Sequence, residues 1–221
     1  DLFWNRSMRS VIIPDGYETI GKRAFYECYS LRSVKMPNSI TSIGDAAFES
    51  CSALDTISIP SKIRSIGYSA FWGTKITEVN IPATTTYIGR NAFAYCEALK
   101  SITVDANNSA YDSRNNCNAI IEKATNTLMR GCGTTIIPNT VQIIGQHAFA
   151  GCLNLSDASI PNSVTTIEDY AFSNCRALTS VVIPSSVTKL YQQSFSECSS
   201  LKSIRVDENN RTYDSRNNCN A

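Results

Sequence analysis

The residues best equipped for chemistry are nine cysteines and a single histidine in 221 residues. Six of the cysteines, Cys28, Cys51, Cys96, Cys152, Cys175 and Cys198, recur in one phase. Zinc sites are built from closely spaced cysteine pairs completed by histidine, and here no C-x-x-C pair occurs. An odd number of cysteines cannot all pair within one chain. The six read as a column of small buried thiols. Cys117 and Cys132 flank a polar insert, and a bridge between them is the one disulfide worth testing, by mass shift on alkylation without reductant. His147 would be needed for any serine or cysteine triad, but its neighbours offer neither a base nor a nucleophile partner. It stands where other repeats carry the equivalents of Asp45 and Ser69, which predicts an exposed, inert side chain. The acid-rich DANN and DENN turns lack the regular spacing of a calcium loop and read as solvated turns. No phosphate-cradling glycine loop, paired carboxylates or nucleophile elbow appears. The sequence therefore implies no catalytic residues, no metal and no cofactor.

What positions these residues is an internal repeat. All seven prolines, Pro14, Pro37, Pro60, Pro82, Pro138, Pro161 and Pro184, keep one phase. So do the eight phenylalanines, Phe3, Phe25, Phe48, Phe71, Phe93, Phe149, Phe172 and Phe195. Apart from the gap between Pro82 and Pro138, the proline step is 22 or 23 residues. A period of that size marks a stacked-coil architecture, in which one unit cannot close a core alone.

The coil PNSITSIGDAAFESCSALDTISI at 37–59 shows how each turn is built. Leu54, Ile57 and Ile59 have the spacing of a short strand whose alternate side chains enter the core. Proline ends that strand because it lacks the N–H a ladder needs. Ile40 and Ile43 predict a second extended segment, and Gly44 a turn with relaxed backbone demands. Ala47, Phe48 and Cys51 are spaced for a short helical or 3₁₀ turn. Thiols stacked on successive coils point the same way, which suits a disulfide torsion badly.

The repeat is interrupted once. Residues 105–137 form an enlarged coil carrying a polar insert and a hairpin, with Ile120 and Ile121 facing Leu128 and Met129 across a turn near Thr125 and Asn126. The stretch DANNSAYDSRNNCNA at 105–119 returns as DENNRTYDSRNNCNA from 207, a longer period of 102 residues. Residues 1–221 thus read as one segment of about nine coils. Both ends fall inside the array, and capping coils are expected beyond them.

With 20 basic and 19 acidic residues there is no net field to attract nucleic acid. No apolar run is long enough to span a membrane, and no signal peptide opens the chain. Function then falls to the surface. Outward strand positions predict one column of Arg9, Arg32, Asp55, Thr77, Lys100, Thr179 and Lys202. A second holds Lys35, Ser58, Asn80, Thr103, Ser159, Val182 and Arg205. The candidate binding residues are Arg9, Arg32, Lys35, Lys100, Lys202 and Arg205, joined by aromatics grouped near the third and fourth coils: Trp72, Tyr87, Tyr68 and Tyr95. Trp4 takes the Trp72 position in the first coil.

The pattern P-N-S-V-T-x-I-x-x-x-A-F-x-x-C-x-x-L-x-S-V-x-I-P closely resembles the BspA-like leucine-rich repeats, over essentially the whole chain. That resemblance implies a leucine-rich-repeat right-handed solenoid with short parallel strands on its concave side. It also implies a secreted or cell-surface protein with a role in adhesion to host or microbial surface proteins, and it supplies no shared catalytic residues. Two other readings compete with a protein-interaction module: a structural spacer, and a glycan-binding module that would need exposed aromatic platforms.

Overall fold

The computed structural model describes residues 7–215, so Phe3, Trp4 and Cys219 lie outside the described residues. The chain divides into two compact units, Asp1–Ser113 and Arg114–Ala221. Each is a solenoid of stacked coils, and in the first the strands step by 23 residues, Ser10 pairing with Ser33 and Ser33 with Thr56. Among the described residues almost no helix is present.

In the first unit the strands β1 (Ser10–Ile12), β3 (Ser33–Lys35) and β5 (Thr56–Ile57) form one parallel sheet. The pair β7 (Glu78–Ile81) and β9 (Ser101–Val104) repeats the arrangement. Val34 and Val79 are buried between exposed neighbours, as the period-two alternation requires. A second parallel sheet runs through β2 (Thr19–Ile20), β4 (Ser42–Ile43), β6 (Ser65–Ile66) and β8 (Tyr87–Ile88), the segment expected around Ile43. Each of these strands turns its isoleucine inward.

A third side closes the coil with isolated turns held by i→i−3 hydrogen bonds, the 3₁₀ form of the turn expected at Ala47–Cys51, and not with a continuous helix. Successive N–H groups alternate in direction. Phe48 N–H crosses to Ala70 O of the next coil at 2.8 Å, whereas Ala47 N–H and Cys51 N–H close local three-residue turns on Gly44 O and Phe48 O. The alternation needs a left-handed residue on each flank, Ala46 at φ 53° and Ser50 at φ 61°. A continuous helix would keep all its N–H groups within the coil, and nothing would then tie neighbouring coils together on this side.

The phenylalanines form the core. Phe25, Phe48, Phe71 and Phe93 stack ring on ring at centroid distances of 5.2, 5.3 and 5.3 Å. Offset stacking of this kind adds to the burial of each ring.

The polar insert ends the first unit without a new coil. Buried Asn108 donates to Pro82 O and Thr85 O while its Oδ1 accepts from the N–H groups of Ala110 and Tyr111. Tyr111, in β10 (Tyr111–Asp112), places its hydroxyl 2.8 Å from Ile88 N, on the last strand of the second sheet. The side chain thus accepts a hydrogen bond that a further strand would otherwise take. Asn210 and Tyr213 repeat the device on Pro184 O, Val187 O and Leu190 N. The acid of each copy serves its own turn, Asp105 Oδ1 accepting from Asn107 N and Asp207 Oδ1 from Asn209 N.

The second unit begins with a 3₁₀ turn at Arg114–Asn116 and then the hairpin, β11 (Ile120–Glu122) against β12 (Thr127–Arg130). A bulge after Ile120 sets Ile121 opposite Leu128 and Ile120 opposite Arg130, where Met129 was expected. β12 continues in parallel register into β13 (Ile143–Ile144), β14 (Thr166–Ile167) and β16 (Lys189–Leu190), so the hairpin supplies a strand of this unit's own parallel sheet. The outer pair is β15 (Ser180–Ile183) with β17 (Ser203–Val206). Phe149, Phe172 and Phe195 stack at 4.9 and 5.2 Å.

Candidate binding face

The parallel ladder of the first unit fixes the surface columns. Arg9, Arg32, Asp55, Thr77 and Lys100 are all exposed, and Arg32 N bonds to Arg9 O and Lys100 N to Thr77 O, which keeps the column in register. The register of β1 with β3 sets Ile12 beside Lys35, so an exposed isoleucine heads the second column. A trough of about 560 Å³ lies over β1, β3 and β5, with Ile12, Lys35 and Ser58 on its walls. Between the predicted columns runs another that the sequence reading passed over: Ser10, Ser33, Thr56, Glu78 and Ser101, all exposed on the strands. Four cations, Arg9, Arg32, Lys35 and Lys100, meet the acids Asp55 and Glu78 on this face, which is a mildly basic, hydroxyl-rich surface.

In the second unit Lys202 and Arg205 are exposed at and beside β17. The aromatics sit elsewhere on the coil. Tyr87 is on β8 of the second sheet and exposed, while half-buried Trp72 lies in the turn layer against Tyr95 at 4.7 Å. The hydroxyl of Tyr68 accepts a hydrogen bond from Asn91 Nδ2. The four aromatics therefore do not join the cationic strand columns.

The thiol column is hydrogen-bonded. Cys51 donates to Phe25 O at 3.0 Å, Cys175 to Phe149 O at 3.2 Å and Cys198 to Phe172 O at 3.1 Å. Thr74 takes the same slot with its hydroxyl on Phe71 O. Burial pushes the Cys51 thiol up to about 12, so it stays protonated and unreactive at neutral pH. Cys117 and Cys132 are both buried, and Cys132 Sγ lies 3.9 Å from Asn118 O and 3.6 Å from the Thr134 hydroxyl. Among the described residues no group of three or more His, Cys, Asp or Glu side chains is placed to hold a metal.

His147 overturns the expectation of exposure. It is 8% exposed, and its ring stacks on Tyr170 at 5.0 Å with 7° between planes. Counted from Phe149 it is equivalent to Ala46 and not to Asp45, at the left-handed position that turns inward, with φ 56°. Burial, reinforced by the charge of Arg130 and opposed by Asp169, lowers its pKa to about 4. The unfolded chain binds this proton near pH 6.5 and the folded chain only near 4. The contribution is complete above pH 6.5 and is lost as pH falls towards 4, on the order of 2 kcal/mol in all. His147→Gln places the residue of the equivalent position 193 there and should flatten this part of a stability–pH curve. A curve that keeps its slope between pH 6.5 and 4 would reject the assignment.

Arg130 is a second surprise, a guanidinium only 2% exposed. Its Nη1 donates to Ala150 O at 2.9 Å and His147 O at 3.3 Å, while Nε and Nη2 have no partner. In a regular coil a backbone N–H of the preceding turn reaches the carbonyl equivalent to Ala150 O, as Glu27 N reaches Glu49 O. The hairpin has no such turn, and the arginine side chain supplies the donor.

Residues 1–120 and 130–220 match the profile of the BspA type leucine rich repeat region, in six copies. The chain belongs to this family. Among solved structures, a leucine-rich repeat protein from Eubacterium ventriosum is 26% identical with a TM-score of 0.75, over 91% of this chain and 61% of that one. A leucine rich cell surface protein from Faecalibacterium prausnitzii is 29% identical with a TM-score of 0.50, over 91% of this chain and 74% of that one. The pneumococcal vaccine antigen PcpA shares the fold at 20% identity and a TM-score of 0.66, over 90% of this chain and 62% of the antigen. The chain thus spans about three fifths of the first structure. No curated protein matches it. BspA-type leucine-rich repeats are generally non-catalytic. No helix among the described residues is long and apolar enough to cross a membrane.

Proposed function

We propose that this BspA-type repeat chain is a non-catalytic interaction module of a secreted or cell-surface protein, binding a protein partner through the strand face of its first unit. The supporting observation is the set of registered columns around the 560 Å³ trough, where cations, hydroxyls and one exposed isoleucine repeat down the coils. The ladder fixes the backbone positions from which these side chains project, so no backbone ordering is required when a partner docks. The similar Faecalibacterium structure is that of a cell surface protein, which supports the same placement.

Reversal of Arg32, Lys35 and Lys100 to glutamate tests the face. Because all three are exposed, the melting temperature should hold while affinity for a partner found by screening matrix proteins falls roughly tenfold or more. Unchanged affinity would remove the face from consideration. Selective binding of glycans in a parallel glycan screen would favour the glycan-binding reading instead.

A further inference from the structure

Three positions before each repeat proline, or the aspartate that replaces it, the coils carry a β-branched aliphatic residue: Val11, Val34, Ile57, Val79, Ile102, Val181 and Ile204. Two adjacent coils depart from this, with Thr135 and Ala158. Val181 in the following coil is 2% exposed and roofs the core. Alanine lacks the branch methyls that would do the same at 158. The Thr135 hydroxyl is engaged with Asn118 O at 2.6 Å and Cys132 N at 2.8 Å.

Where these two roof residues are missing, the second unit has a cavity of about 220 Å³. Its accessible walls are exposed Ile136 and half-buried Ile137, over a floor of Phe149, Phe172, Leu155 and Ala158 that carry almost no exposed surface themselves. Ile183, before the next proline, is 1% exposed, while its equivalents Ile137 and Ile160 are only half-buried and Ile136 stands 77% exposed. The volume exceeds the roughly 150 Å³ at which an apolar cavity accepts benzene. Asp157 and Ser159, both exposed, also line it. Asp157, Ala158 and Ser159 belong to no strand, and among the described residues no backbone hydrogen bond ties them to a neighbouring coil.

We infer that this cavity is an anchor site for one aromatic side chain of a partner polypeptide, with a basic residue next to it in the partner. The apolar lining takes the ring. Asp157 at its edge attracts the adjacent cation. A buried aromatic in a fitted pocket is the kind of contact that dominates protein interfaces. This rests on the reading of the chain as a protein-binding module, but it uses the second unit and none of Arg32, Lys35 or Lys100.

The test uses the whole chain with the probe N-acetyl-Phe-Arg-amide, read by methyl NMR of Ile136, Ile137 and Leu155. The expected result is saturable shifts of these methyls, binding about tenfold weaker for N-acetyl-Ala-Arg-amide, and several-fold weaker binding to Asp157→Asn. Ala158→Val restores the residue type of the other coils, so it should fold at least as stably and lose the shifts. Absence of shifts in the unaltered chain, or shifts unchanged in Ala158→Val, would overturn the site. Benzene binding as tightly as the dipeptide would overturn the polypeptide assignment in favour of a small-molecule cavity. Since the dipeptide reports on the pocket directly, its failure is distinguishable from failure of the strand-face reading, which the glutamate reversals address.

Discussion

Phe172→Ala is expected to cost about 3–5 kcal/mol. Phe172 has no exposed surface and lies between Phe149 at 4.9 Å and Phe195 at 5.2 Å. Removing the ring forfeits its burial and leaves a void bounded by two stacked neighbours. Those rings cannot collapse into it, because their backbones are tied coil to coil: Phe149 N to Ala171 O, and Phe172 N to Ser194 O, each at 2.7 Å. Phe48→Ala should behave alike in the first unit, where Phe48 is equally buried between Phe25 and Phe71. Phe195, only half-buried, should lose less. Denaturant midpoints of the three variants measure this, and a Phe172→Ala midpoint equal to that of the unaltered chain contradicts the ring column as the core.

The coil and its phase were legible in the sequence because proline and phenylalanine each have one place to go in it. Proline must stop the ladder, and phenylalanine must meet its counterpart in the next coil. The turn layer was not legible in the same way. Its left-handed positions accept Arg23, Ala46, Ser69, Asn91, His147 and Tyr170, so they carry no glycine signature, and a count displaced by one residue put His147 in solvent. Arg130 was missed for a related reason. Its role follows from a turn the hairpin lacks, and a sequence pattern records what repeats, not which carbonyl an interruption leaves waiting. On the strand face the period alone located Arg9, Arg32 and Lys100, whereas the serine-rich column beside them drew no notice because it carries so little charge. Trp72 and Tyr87 looked close because they are near in sequence. A coil has several sides, and the residues between them carry the chain from the turn layer to the second sheet.

Gly67→Ala is the other large effect, expected at about 2–3 kcal/mol. The sequence suggests a turn glycine chosen for backbone freedom, as at Gly44, yet neither glycine has a positive φ. The demand is one of space. A Cβ on Gly67 would lie 2.5 Å from Asp45 N and 2.5 Å from Gly44 C, and one on Gly44 would lie 2.6 Å from Lys22 N. These obstacles are backbone, so no rotamer change relieves them. The coils must move apart, which stretches the 2.7 Å bond from Gly67 N to Ile43 O and those beside it. Gly145 is equivalent in the second unit, and its nearest atoms, Leu128 O and the Thr127 methyl, are at 3.1 Å. Glu168 and Tyr191 occupy the same phase there, so that unit accommodates a side chain where the first does not. Gly145→Ala should therefore cost less than about 1 kcal/mol. Thermal melts of the two alanine variants decide the point. Equal losses would mean that glycine is kept at this position for some reason other than the closeness of the neighbouring coil.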